Sequence, residues 1–491
     1  MTELHELTAI DLAAAYRRRD TSPREVVDHL LARIEAYSDE VGAFITVTAA
    51  AARQAADAAT ERLRHSPAVA PPLLGVPTAI KDLNQTAGVR TTFGSVVTAD
   101  TVPRVSDELV LRVERAGLIS LGKTNTPEFG SPCYTEPEVA PPARTAYDLA
   151  RSAGGSSGGA GAAVAAGLLP LAQGSDGGGS IRIPASVCGL VGLKPSRGRV
   201  SSAPVYGDVS GLSAAGPLAT TVRDAAMLLD AMAGPAIGDP AWAAPLAKGD
   251  SFRQHCDRPC ERLRIARFSD PPIADGPVHP DVLAGYERAT SLLVQLGHRV
   301  EDVELGLPGS TVQLFETVWS VGAASWPLPD AAEARLRPLT RWLRERGRAV
   351  SGPDFAAALV GMRQVAADVL IRLSPYDAVL SPTLAQPPAL VGGLRNDADP
   401  AADFAAQKRF TPFTAVWNVT GMPAVSLPLH WTPQGLPVGV MLAGRPGADA
   451  QLVRLAAQVE AACTVDGRWP HPQTPFTAAH AAHAAHAAHR S

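Results

Sequence analysis

The sequence predicts an α/β protein in which helices cover a central sheet. Segments with the periodicity of amphipathic helices alternate with short apolar runs of strand length, early in the chain and again in its second half. Of 491 residues, 46% are hydrophobic and 19% charged, which is the composition of a globular protein with a large core. The net charge of −4 provides no basic surface for nucleic acid.

The first strong helix signal begins at Ser22. Ser22 is a favourable N-cap, Pro23 suits the first helical position, and Glu25 completes a capping box. The apolar side chains that follow recur on one helical face: Val26, Val27, Leu30, Leu31 and Ile34.

Further elements follow in alternation. Residues 106–117 predict a helix that ends at a glycine, and residues 118–121 predict a short buried strand. Strand, helix and strand signals return at residues 263–268, 282–296 and 299–305. This order favours a sheet packed against helices.

Several classes of protein are disfavoured. No run of 18 uncharged apolar residues predicts a membrane span, and residues 1–20 lack the pattern of a signal peptide. An odd number of cysteines, five, leads us to expect reduced thiols in the cytoplasm. Cys256 and Cys260 have no second Cys or His pair nearby, so we expect no metal site. Residues 478–491 carry four histidines at a period of three, which does not keep them on one helical face, and predict a solvated low-complexity tail.

The centre of the chain, residues 152–200, is rich in glycine and serine and nearly free of charge. Two Gly/Ser loops, residues 154–159 and 174–182, flank an apolar stretch at residues 161–171. A flexible linker would not bury such a stretch, so we expect a core helix between two loops whose backbone approaches a ligand closely.

Two familiar patterns offer alternatives. Residues 117–124 match the phosphate-binding expression G-x-x-x-x-G-K-[ST], but the intervening Leu-Ile-Ser-Leu favours a strand and Pro127 interrupts the expected helix, which indicates a chance match.

Residues 154–158 match the nucleophile elbow G-x-S-x-G, which needs a preceding strand and a later histidine. Residues 148–153 are a weak strand candidate, and the histidines that could serve are His255, His279, His298 and His430. An α/β-hydrolase that uses Ser156 and a histidine therefore stays open.

The third pattern combines both loops. Gly177, Gly178 and Gly179 precede Ser180, so successive N–H groups can converge on one oxyanion. A serine nucleophile needs a base, and Lys81 ends an apolar run where desolvation would lower its pKa.

These segments resemble the amidase signature family. The similarity covers most of the chain and is concentrated in residues 74–82, 122–130, 154–159, 175–182 and 184–195. The resemblance implies a single α/β/α domain around a large mixed sheet. We place it at residues 1–477, with a catalytic core at about 70–225 and a variable region at about 234–372 that shapes the pocket.

The resemblance also implies roles for single residues. Ser180 would be the nucleophile, Ser156 a relay that follows a cis peptide bond, and Lys81 the base. The N–H groups expected in the oxyanion hole are those of Gly177, Gly178, Gly179 and Ser180. Substrate contacts are expected at Phe129 and Cys133.

The implied reaction is hydrolysis of a linear or cyclic small-molecule amide through an acyl-enzyme, without metal or organic cofactor. Residues 135–138 and 151–155 are most similar to the cyclic-dimer hydrolases of aminohexanoate oligomers within the family. A rival is the A subunit of a glutamyl-tRNA amidotransferase, and a homodimer is left open. Gly177, Met441 and residues 143–148 depart from the usual pattern, which leaves the substrate undetermined.

Overall fold

The computed structural model describes residues 3–205, 208–465, 474 and 476. In this described part the helices α1 to α15 are Ala9–Arg18, Pro23–Val41, Ala49–His65, Glu108–Arg115, Gly158–Ala165, Arg182–Val187, Val222–Met232, Phe252–His255, Pro280–Gln295, Thr311–Ala324, Pro338–Arg348, Gly352–Leu373, Pro400–Phe410, Val416–Val419 and Asp449–Val465. The strands β1 to β13 are Phe44–Val47, Pro77–Lys81, Ile119–Thr124, Arg144–Thr145, Asp148–Ser152, Leu171–Asp176, Val191–Lys194, Ala214–Ala219, Arg264–Arg267, Arg299–Asp302, Ala378–Pro382, Ala424–Trp431 and Pro437–Gly444.

An eight-stranded mixed sheet forms the centre, in the order β10-β9-β11-β13-β12-β7-β8-β6. The neighbours β10, β9 and β11 run parallel, and the other pairs are antiparallel. Helices α6, α7, α9 and α15 pack against this sheet. The predicted α/β fold with a large mixed sheet is confirmed.

A three-stranded sheet, β1-β3-β2, lies beside the β6 edge of the large one. The two sheets are linked by side chains: the Lys81 N–H donates to Gln173 Oε1 at 2.8 Å, and Thr78 Oγ1 donates to the Leu171 carbonyl at 3.3 Å. The end of β2 is therefore fixed next to the end of β6.

The local predictions near the N-terminus are confirmed. Helix α2 begins at Pro23, with the capping box between Ser22 and Glu25, and it buries the predicted apolar face. Helix α4 lies within the predicted range, and β3 starts at Ile119. The segment that matched the phosphate-binding expression is thus largely strand, as its apolar residues indicated.

Two local predictions in the centre are wrong. The core helix spans Gly158–Ala165 rather than residues 161–171, because Gly167, at φ 65°, ends it and Leu171 already begins β6. Residues 148–152 do form a strand, β5, in a hairpin with β4, although they lack a clear apolar alternation. A partly exposed hairpin does not require such alternation.

The predicted tail at residues 478–491 lies outside the described residues. Among the residues that are described, no helix is both long and apolar enough to cross a membrane, and no group of three or more His, Cys, Asp and Glu side chains could hold a metal ion.

Candidate active site

Lys81 is the last residue of β2, a strand whose five residues are all buried. Burial lowers the pKa of Lys81 to about 7, against the opposing effect of the Asp176 charge. Its Nζ lies 2.7 Å from Ser156 Oγ and 3.1 Å from Ser175 Oγ. A neutral lysine in hydrogen-bond contact with a serine hydroxyl can accept its proton.

Ser156 lies in the loop between β5 and α5. The peptide bond between Gly155 and Ser156 is cis, as the resemblance implied. The Ser156 side chain is only 2% exposed, and a methyl group in place of a hydrogen on Gly130 would lie 3.3 Å from its Oγ. The hydroxyl is thus enclosed between Lys81 and the Gly130 backbone.

Ser180 lies in the loop between β6 and α6, at the edge of a cavity. The two Gly/Ser loops touch there: the Ser157 N–H donates to the Ser180 carbonyl at 3.1 Å, and Ser157 Oγ accepts from the Ser175 N–H at 3.2 Å. The structure therefore brings Ser180 next to the loop that carries Ser156.

The N–H groups before Ser180 differ in their partners. The Gly179 N–H donates to Asp176 Oδ1 at 2.8 Å. For the N–H groups of Gly177, Gly178 and Ser180, no acceptor is found among the described residues. Three backbone donors are consequently free to bind a developing oxyanion, and the Gly179 N–H instead holds the loop.

Asp176 is the centre of a buried network. It forms an ion pair with Arg182, whose Nη2 lies 2.8 Å from its Oδ1, and Asn418 Nδ2 donates to the same oxygen at 2.9 Å. Burial alone would raise the pKa of Asp176, but the Arg182 guanidinium outweighs it and keeps that pKa well below its usual value. The carboxylate that holds the Gly179 N–H therefore stays charged.

Thr414 supports the glycine loop from the other side. Its Oγ1 donates to the Gly178 carbonyl at 2.5 Å, and its own carbonyl accepts from Arg182 Nη1 at 2.8 Å. Gly179 has φ 139°, and a Cβ there would lie 2.5 Å from Thr414 Oγ1. Only glycine fits this position, which explains the sequence at this point.

The cavity beside Ser180 encloses about 930 Å³, including its open mouth. Its lining is mainly apolar: Pro132, Cys133, Ile183, Ile273, Leu307, Val312, Phe315, Trp319, Met362, Val365, Phe404, Ala415, Val416 and Val419. The charged lining residues are Glu316 and Lys408, and these form an ion pair with each other. Such a cavity suits a largely uncharged small molecule.

The two expected substrate contacts lie in different places. Cys133 lines the cavity, its N–H donates to Gln407 Oε1 at 2.9 Å, and burial raises the pKa of its thiol. Phe129 is not among the lining residues; its ring packs against Trp326, with ring centres 4.7 Å apart.

The histidine alternative finds no support in this geometry. Among the residues that the structure describes, no histidine lines the cavity, and the partner of Ser156 is Lys81. The histidines considered from the sequence have other contacts, such as Asp250 for His255 and Gln458 for His298.

Sequence reasoning missed the supporting residues. Asp176 and Arg182 lie inside the recognised motif, so an acid and a base six residues apart beside a glycine loop could have indicated an ion pair. Thr414 lies in a weaker match to the family at residues 413–423, but its contact with the loop was not expected. Phe315 and Trp319 gave no signal, because only the fold brings their distant segment to the loop.

Known proteins of similar sequence and structure show the family of this chain. A family model described as Amidase matches residues 25–453. A putative amidase of Synechocystis sp. is 36% identical over 94% of this chain and 89% of its own length. The 6-aminohexanoate-cyclic-dimer hydrolase of Paenarthrobacter ureafaciens is 33% identical over 94% of this chain and 96% of its own.

A solved structure of 6-aminohexanoate cyclic dimer hydrolase complexed with substrate superposes with a TM-score of 0.88. It is 31% identical in sequence and covers 97% of this chain and 100% of its own. The family match and these two near-complete alignments lead to one conclusion. The chain belongs to the amidase family and is an enzyme that hydrolyses the C–N bond of amides.

Proposed function

We propose that this amidase uses Ser180 as its nucleophile, Ser156 as a proton relay and Lys81 as the base. The observation that carries the proposal is the 2.7 Å contact between Lys81 Nζ and Ser156 Oγ, in a site where burial lowers the lysine pKa to about 7. A lysine with that pKa is substantially neutral near physiological pH and can act as a base.

Acylation begins when Ser180 Oγ attacks the amide carbonyl carbon. The Ser180 proton passes to Ser156 Oγ, and the Ser156 proton passes to Lys81 Nζ. The oxyanion accepts hydrogen bonds from the N–H groups of Gly177, Gly178 and Ser180. The Gly179 N–H, which the sequence analysis expected in the oxyanion hole, is not included because it donates to Asp176 Oδ1.

Collapse of the tetrahedral intermediate breaks the C–N bond. The leaving nitrogen takes a proton from Ser156, which recovers one from Lys81. Water then attacks the acyl-enzyme by the same relay and releases the acid, so that Ser180 is regenerated. In this scheme the side chains of Ser180, Ser156 and Lys81 carry every proton transfer.

The mainly apolar cavity, which is open at its mouth, supports a small-molecule substrate, a linear or cyclic amide. We also propose a cytoplasmic location. It is supported by Cys133, Cys188, Cys256 and Cys260, which are not joined by disulfides in the structure. The homodimer stays a prediction, to be tested by sedimentation.

Replacement of the nucleophile tests the proposal. Ser180→Ala is expected to lower kcat for amide hydrolysis by at least about 10³-fold, because no bond to the substrate can form. Amine release from a panel of aryl, aliphatic and cyclic amides would be measured, with circular dichroism to establish that the variant is folded. Ser291→Ala, which removes an exposed serine hydroxyl on α9 that does not line the cavity, should stay within about twofold of the parent. Substantial turnover by Ser180→Ala would contradict the assignment.

A further inference from the structure

Two aromatic rings of α10 cover the glycine loop. A methyl group in place of a hydrogen on Gly177 would lie 3.5 Å from the indole of Trp319, and one on Gly178 would lie 3.7 Å from the ring of Phe315. The two rings stack on each other, with centres 5.3 Å apart and planes 19° apart. They form a flat wall, here named the aromatic wall, next to two of the free N–H donors.

The proton relay distinguishes the two ends of the cavity. The leaving nitrogen must face Ser156, which is its proton donor and lies against Gly130. The adjoining Ser131 and Cys133 line that end of the cavity. The carbonyl substituent on the opposite side then points towards the aromatic wall.

Charge limits what this end can accept. Glu316 lies on the same helix and lines the cavity, but its carboxylate pairs with Lys408 and, at 3.3 Å, with Arg346. An acyl group bearing its own charge would lose its water shell here without finding a free partner. An apolar acyl group would instead bury its surface against the rings.

We propose that Trp319 and Phe315 form an acyl-binding subsite that selects amides of uncharged, long-chain or aromatic carboxylic acids. The inference rests on the proposed function, because it uses Ser156 as the proton donor to orient the substrate. It assigns the acyl half of the substrate to α10 and the amine half to the Ser131–Cys133 end.

Two substrate series separate the halves. In the first, the amine is always p-nitroaniline and the acid is acetic, hexanoic, 3-phenylpropionic or succinic. In the second, the acid is always acetic and the amine is ammonia, hexylamine or benzylamine. We expect the parent to prefer hexanoyl and phenylpropionyl over acetyl and succinyl anilides.

Trp319→Ala and Phe315→Ala should each lower kcat/KM for the hexanoyl and phenylpropionyl anilides by about tenfold or more, and that for the acetyl anilide by less than about threefold. The order of reactivity in the amine series should not change. Gln313→Ala is a matched control, because this exposed residue lies on the same helix and is not among the cavity-lining residues; it should leave both series unchanged. Melting temperatures would establish that each variant is folded. If Trp319→Ala does not fold, Trp319→Phe replaces it, because phenylalanine keeps a smaller ring at this position.

An equal loss across the acyl series, or a loss that follows the amine instead, would overturn the acyl subsite. Ser180→Ala on the same panel makes the two proposals distinguishable. If Ser180→Ala stays active, the catalytic proposal is overturned. If the parent shows no preference among the acyl groups, only the acyl subsite is overturned.

Discussion

Three buried lysines have pKa values lowered primarily by desolvation: Lys81, Lys123 and Lys194. Their partners differ. Lys123 forms an ion pair with Asp82 at 3.2 Å, and Lys194 donates to the Pro195 carbonyl at 2.9 Å. Lys81 is the one that contacts Ser156. A low pKa alone therefore does not single out a base, and the contact with Ser156 is what supports the proposed role of Lys81.

The pKa of Lys81 predicts the pH dependence of the reaction. The reactive form is neutral, so kcat/KM should rise about tenfold per pH unit below about pH 7 and level off above it. Lys81→Ala should lower kcat/KM by about 10²–10⁴ and remove this dependence. Lys194→Met, which changes another buried lysine, should keep the midpoint. A midpoint that survives in Lys81→Ala would assign the ionisation to a different group.

At the residue level the sequence was informative where chemistry is local. Ser156 and Ser180 became candidates because each lies in its own glycine loop, and Lys81 because it ends an apolar run. The resemblance to the family then implied the role of each. The partner of the Gly179 N–H could not be identified, since which N–H groups stay free depends on how the loop folds around Asp176.

At the scale of elements, the proposed site is a junction of four segments. Strand β2 ends in Lys81, the loop between β6 and α6 carries the proposed nucleophile, and the loop before α5 carries the proposed relay. The segment before α14 supports the loop between β6 and α6 from outside. The sequence predicted both loops but placed the helix between them too late. Glycines and alanines occur both inside this helix and next to it, so the residue types do not show where it begins. Its end is marked by Gly167.

We expect the Thr414 hydroxyl to hold the glycine loop before Ser180 in position. Thr414→Val removes the hydroxyl that donates to the Gly178 carbonyl but keeps the shape of the side chain. We expect kcat to fall about tenfold to 100-fold with little change in KM, because the neighbouring N–H donors act mainly on the oxyanion. Thr414→Ser should restore most of kcat, since serine keeps the donor. If the serine variant is as slow as the valine variant, packing rather than the hydrogen bond positions the loop.

At the scale of the whole molecule, the buried Asp224 and the partly buried Glu460 link α1, α7 and α15. Asp224 on α7 accepts from the N–H groups of Ala9 and Ile10 at the start of α1. Glu460 on α15 accepts from the Val222 N–H at 2.8 Å. Burial raises the pKa of each acid to about 7. The Asp224 charge adds to the effect at Glu460, and the Asp11 charge adds to it at Asp224. No local pattern predicted this arrangement, because 236 residues separate the two acids.

The acid pair predicts a loss of stability with rising pH. In the folded protein both acids have pKa values above those of the unfolded chain. Their contribution to the free energy of unfolding is therefore fully present below about pH 4, and it is lost as pH rises through about 7. Glu460→Gln keeps an oxygen acceptor but cannot ionise. It should raise Tm by about 1–2 °C at about pH 8 and change it little at about pH 5. Glu35→Gln, an exposed control, should change Tm at neither pH. An equal shift at both pH values would show that the Glu460 charge is not responsible.

The most direct test of the central claim is to find the residue that becomes covalently modified. A fluorophosphonate probe would be added to the protein, and the labelled peptide would be sequenced by mass spectrometry. We predict a label on Ser180, none on Ser180→Ala, and much slower labelling of Lys81→Ala and Ser156→Ala, because both belong to the relay. A label on Ser156 in the parent protein, or normal labelling of Lys81→Ala, would contradict the account.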